Sequence, residues 1–83
     1  MQDFKTPLRR FIEENFILGT AKSFSDSDSL IKGHVIDSTG IVELVMFLEE
    51  SWPVTVDDDD LVPRNLDSLD NIEAFLIRKL GSA

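Results

Sequence analysis

A chain of 83 residues has room for one small domain, 1–83, and such a domain buries roughly 60–65% of the surface its unfolded form exposes, too little for a deep enzyme pocket. Sixteen Asp and Glu against eight Lys and Arg give a formal net charge of −8, which repels phosphate backbones, excludes nucleic acid as a partner and favours a basic protein surface. With 42% hydrophobic and 29% charged residues the composition is that of a folded globule, and without cysteine there is neither a disulfide nor a thiolate metal site, which the single His34 cannot replace.

The N-terminus, Met1-Gln2-Asp3-Phe4-Lys5-Thr6-Pro7, lacks the basic start and apolar run of a signal peptide. No apolar stretch approaches the ~20 residues of a membrane span. A cytoplasmic protein without a membrane span is therefore expected. Thr6-Pro7 reads as a helix start, since threonine caps and proline at the first helical position loses only an N–H that has no intrahelical acceptor. Leu8, Phe11, Ile12 and Phe16 follow at helical spacing, with Arg9, Arg10, Glu13 and Glu14 on the other side and Gly19 as a stop.

From Thr20 to Asp37 the chain is polar, a long connection of the kind that is either functional or anchored by a few buried side chains. Leu30, Ile31 and Ile36 are the expected anchors, with a single turn of helix near 28–31. The second helix is expected over Ser38–Ser51, where Ile41, Leu44, Val45 and Leu48 make an apolar face. Val42, Met46 and Phe47 widen that stripe beyond one packed face, so some of them should be exposed. Trp52-Pro53 ends the helix, because proline disfavours helical geometry in the residue before it.

Val54-Thr55-Val56 reads as an extended link. Asp57–Asp60 is expected to open a brief third helix that Pro63 stops. Asp67, with Asp70 three residues on, reads as a variant capping box for a fourth helix lined by Leu69, Ile72, Phe75, Leu76 and Leu80. Arg78 and Lys79 sit near its negative end, with Gly81 beyond. The expected fold is all-α, a small antiparallel four-helix bundle of three main helices and one short one.

The segment Asp37-Ser38-Thr39-Gly40-Ile41-Val42-Glu43-Leu44-Val45-Met46-Phe47-Leu48-Glu49-Glu50 places one serine where a loop becomes an acidic amphipathic helix. Serine and aspartate both suit that position, because their side-chain oxygens accept from backbone N–H groups lacking intrahelical partners. An isolated Asp-Ser would signify only a cap. Together with Trp52, Val54-Thr55-Val56 and the acids 57–60, however, the segment resembles the modification site and following helices of the acyl carrier proteins and their aminoacyl and peptidyl relatives.

Two departures from the fatty-acid-synthesis type stand out. Thr39-Gly40 replaces a usual leucine and acidic or polar residue, and Phe47 stands where a small residue is common. Asp37-Ser38-Thr39-Gly40, followed by Asn65-Leu66-Asp67-Ser68, is more similar to free-standing carriers that accept their load from an adenylate-forming acyl or aminoacyl ligase. The resemblance implies an acyl-carrier-protein-like bundle with 4′-phosphopantetheine, drawn from coenzyme A, attached to Ser38 by a phosphopantetheinyl transferase. It further implies a thioester-bound acyl or aminoacyl group presented to acyl-transferring or synthase enzymes of fatty acid or secondary metabolite biosynthesis.

The protein itself is not expected to be an enzyme, since a serine nucleophile needs a base and an orienting third group and only His34 is present. Asp37, Thr39, Val42, Glu43, Met46, Glu49, Glu50, Asp57 and Asp58 form the expected docking surface, acids with an apolar contact beside them for enzymes with basic entrances. The aspartates 57–60 lack the ligand spacing, glycine and distal glutamate of an EF-hand loop, so no dedicated metal site is expected. A monomer is the default for so small and charged a domain. The competing reading is a small acidic adaptor whose serine is never modified.

Overall fold

A computed structural model describes residues 3–17, 19 and 23–81. Met1 and Gln2 at the N-terminus, and Thr20, where the long loop is expected to begin, lie outside them. The first helix, α1, runs over Lys5–Ile12. Thr6 is not its cap: the N-cap position falls on Phe4, and the Thr6 N–H donates instead to Asp3 Oδ1 at 3.2 Å. Pro7 lies within the first turn, where a missing N–H leaves no intrahelical bond unmade.

The chain then widens into a π-helical turn, Glu13–Ile17. Leu8 and Ile12, four apart, are fully buried, and Ile17 is buried five residues further on. The extra residue in that turn brings Ile17 to the core and leaves Phe16, expected there, half-buried.

The second helix, α2, spans Ser38–Ser51 as the sequence predicts. Leu44 and Leu48 are fully buried, while Ile41 and Val45 are half-buried at its edges. Trp52 is extended, and its N–H closes the last turn on Leu48 O at 3.1 Å just before Pro53. Its indole meets the Phe4 ring edge-on at 5.3 Å and the Phe47 ring at 5.9 Å, and Phe47 in turn stacks on Phe11 at 4.3 Å. This aromatic row ties α1 to α2, and it explains why a large ring is accommodated at position 47.

The region after α2 departs from expectation. Asp58–Asp60 forms only a 3-10 turn, closed by Asp57 and Asp60 capping each other's backbone N–H groups. Pro63 does not stop a helix there; it opens a short one, α3, Pro63–Leu66. Its fixed φ is already helical and its absent N–H is one the first turn leaves unpaired. The last helix, α4, covers Leu69–Gly81. Its first turn is capped by Ser68, whose Oγ accepts from Asn71 N at 3.1 Å, and not by Asp67.

Asp67 is engaged with the long loop. Its carboxylate accepts from Ser29 Oγ at 2.7 Å and from Ile31 N at 2.9 Å, and its carbonyl accepts from Leu30 N at 2.6 Å. Leu30 and Ile36 are buried as expected, but Ile31 is 41% exposed, and Phe24 and Val35 take the remaining anchor positions. The bonds from the N–H groups of 30 and 31 to one residue direct Leu30 inward and Ile31 outward. Residues 28–31 form turns without a helix.

Among the described residues there is no strand, and the buried side chains of α1, the loop, α2, α3 and α4 make one apolar cluster. Helix α4 packs against both α1 and α3. The radius of gyration, 12.1 Å, matches the roughly 12 Å of a compact chain of this length.

Gly40 is where the entry to α2 is tightest. A Cβ there would lie 2.8 Å from Phe16 Cε1 and 2.9 Å from Ile36 Cγ2. Gly40→Ala is expected to destabilise the fold by about 1–3 kcal/mol in urea or thermal unfolding. Gly81→Ala, where a Cβ meets nothing within 4 Å, is expected to be neutral or slightly stabilising.

Candidate functional site

Ser38 is exposed and is the first residue of α2. The cap is Asp37, whose Oδ1 accepts from Gly40 N at 2.8 Å while its carbonyl accepts from Ile41 N at 3.1 Å. Asp37 therefore fills the role for which a serine at this place would ordinarily be chosen. Among the described residues the Ser38 hydroxyl has no hydrogen-bond partner. It stands in water beside the positive end of a 14-residue helix.

The remaining candidate residues divide into two groups. Thr39, Val42, Glu43, Met46 and Glu50 are exposed on α2, with Val42 at 60% and Met46 at 54%. Glu49 is exposed too, but its Oε2 accepts from Val56 N at 2.9 Å and so holds the extended link against the end of α2. Asp57 and Asp60 both face Lys79 of α4, at 3.3 and 2.7 Å from its Nζ. Asp58 and Asp59 remain turned to solvent. The acids that look continuous in sequence are thus an α2 face on one side and a capped, lysine-bound turn on the other.

Among the described residues no three His, Cys, Asp or Glu side chains converge as metal ligands would, and no helix is long and apolar enough to cross a membrane. His34 is exposed on the turn before α2, in the left-handed region with φ 57°.

Asn65, legible in the sequence only as part of a motif, is buried and bonded through both ends of its amide: its Nδ2 donates to Asp60 O at 3.0 Å and its Oδ1 accepts from Arg78 Nη2 at 2.7 Å. The signal for it was the run Asn65-Leu66-Asp67-Ser68. Its four residues serve in turn as a bridge, a core side chain, a loop anchor and a helix cap.

Comparison with protein-family models, with curated proteins and with solved structures gives no match for this chain.

Four carboxylates are held below the usual carboxylate range: Asp3 chiefly by a hydrogen bond from the Thr6 side chain, Asp26 by that from Arg9, Asp28 by that from the Ser25 backbone and Asp60 by that from Lys79. Lys79 is correspondingly raised, first by Asp60. A carboxyl whose acidity is greater in the folded state favours folding above its ordinary value, here 3.8, and that contribution disappears as pH falls below it. A raised lysine favours folding below its ordinary 10.5 and loses the contribution as pH rises past it. The melting temperature is therefore expected to fall below pH 3.8, and Asp60→Asn is expected to flatten the acid limb, as followed by circular dichroism.

Proposed function

We propose that this chain is a free-standing acyl or aminoacyl carrier protein with an acyl-carrier-protein-like fold, in which Ser38 bears 4′-phosphopantetheine. The observation that carries this reading is the condition of Ser38: exposed, at the first position of a long helix, and relieved of capping by Asp37. A serine that a separate transferase must reach needs that combination, and a serine kept for stability does not.

The residues around it suit a phosphodiester. The Asp37 carboxylate is directed to Gly40 N, and the backbone N–H groups of the first turn supply positive potential beside Ser38 Oγ. During modification Ser38 gives its proton to a base of the phosphopantetheinyl transferase. Ser38 Oγ then bonds to the β-phosphorus of coenzyme A, and the P–O bond to the adenosine bisphosphate half breaks. When bound, the arm supplies the thiol that holds a carboxylic acid as a thioester. Delivery and recognition are left to the protein.

Loading by an adenylate-forming ligase, and unloading by an acyl-transferring or synthase enzyme, require docking beside Ser38. Thr39, Val42 and Met46 with Glu43 and Glu50 form an exposed apolar and acidic face on the same helix. Its charge would accelerate and orient encounters with basic entrances. Asp58 adds charge from the neighbouring turn, whereas Asp57 already has Lys79 as a partner.

Intact-protein mass spectrometry after incubation with coenzyme A, magnesium and a broad-specificity phosphopantetheinyl transferase tests the assignment. One phosphopantetheine is expected, mapped to Ser38 by peptide analysis. Ser38→Ala is expected to gain no mass while its stability stays within about 0.5 kcal/mol of the parent. Failure of the parent to gain mass, with a control carrier modified in the same tube, would favour the acidic adaptor. Glu43→Lys is expected to lower kcat/KM for modification several-fold, in line with the ~0.2–1 kcal/mol of an exposed charge contact.

A further inference from the structure

The stacked rings of Phe11 and Phe47 are both half-buried, with 14° between their planes, and a shallow groove opens on each side of the pair. Met46 and Glu50 line the groove toward α2; Pro7 and Arg10 line the one toward α1. The interior of α2 is already filled by Leu44 and Leu48, so the outer edge of this pair is apolar surface beyond what the core needs. Exposed methionine and aromatic edges in a shallow depression are typical of protein interfaces, because the rings supply large rigid contact area and the flexible, polarisable thioether moulds itself to a partner's surface.

The charges around the grooves select the partner. Four ionisable side chains line them, Arg10, Glu14, Glu43 and Glu50, and all four are exposed. Three are acidic. We propose that this α1–α2 surface seats an apolar side chain from a basic amphipathic segment of a partner protein, with Glu14, Glu43 and Glu50 meeting Lys or Arg on either side of that anchor. The surface extends the α2 docking face of the carrier reading onto α1, and it does not depend on modification of Ser38.

The test is an NMR titration at about 0.15 M salt with a helical peptide of about 18 residues carrying Leu and Phe on one face and Lys on its flanks, beside a control peptide with Glu for Lys. Shifts are expected to centre on Phe11, Asn15, Met46 and Phe47 and to reach the Trp52 indole through its edge contact with Phe47. The Glu peptide is expected not to bind. Surface charges are varied in place of the rings, because truncating Phe47 would also remove its packing on Phe11 and Trp52.

Glu14→Lys and Glu50→Lys are each expected to weaken binding roughly threefold, and Arg10→Glu to strengthen it by a similar factor. Asp59→Lys makes the same change in net charge at a residue that lines neither groove, and is expected to leave affinity unchanged. Absence of saturable binding, shifts centred on Val42 or Ile77, or an Asp59→Lys effect equal to that of Glu50→Lys would overturn the proposal. A mass gain at Ser38 together with any of these would leave the carrier reading standing and remove only the groove.

Discussion

Asp67 lies at the junction of α3 and α4, yet it accepts hydrogen bonds from Ser29, Leu30 and Ile31, more than thirty residues earlier in the chain. Those bonds bring Leu30 to the core, and the Leu30 carbonyl then accepts from the N–H groups of Val35 and Ile36. Ile36 follows Leu30 inward, and one residue later Asp37 begins to cap α2. The position of Ser38 therefore depends on a carboxylate far away in sequence. A long polar loop gives up considerable conformational entropy on ordering, and a few convergent bonds to one residue, backed by buried Leu30 and Ile36, hold this end of it.

The other end of the loop is held by cations of α1. Arg9 donates to Phe24 O at 2.8 Å and to Asp26 Oδ1 at 2.6 Å, and its guanidinium lies 4.5 Å from the centre of the Phe24 ring. Lys5 reaches Asp70 at 2.6 Å and Asp26 at 3.5 Å, while the Asp26 carbonyl accepts from Asp70 N at 3.0 Å. In a chain with twice as many acids as bases, several of the few cations thus lie where the loop and the 57–60 turn meet the helices. The α2 carboxylates Glu43 and Glu50 face solvent with no ion pair among the described residues. That division leaves a negative face beside Ser38, which is what the proposed carrier role requires of it.

Much of this was legible locally. The limits of α2 followed from Asp-Ser at one end and Trp-Pro at the other, because capping and the restriction before proline act within a few residues. The buried face of α4, Leu69, Ile72, Phe75 and Leu76, followed from spacing alone. Ser38 was picked out by its place in a pattern, although which of two adjacent polar residues would cap was not: Asp37 and Ser38 are both competent acceptors, and only the path of the chain before them chooses between the two. The inward turn of Ile17 was hidden because a π-helical turn breaks the helical period that would otherwise reveal it.

What the sequence determined by itself was the helical class, the two long helices around buried leucines and phenylalanines, and Ser38 at the entry of the acidic helix, since each depends on periodicity or on contacts between near neighbours. Only the tertiary structure decided that Asp67 anchors a loop and leaves the capping to Ser68, that Pro63 begins a helix, and that the aspartate run is divided between Lys79 and solvent. The physical reason is the same in each case. A carboxylate or a proline suits several local geometries at similar free energy, and the choice among them is made by partners distant in sequence that folding brings within hydrogen-bond reach.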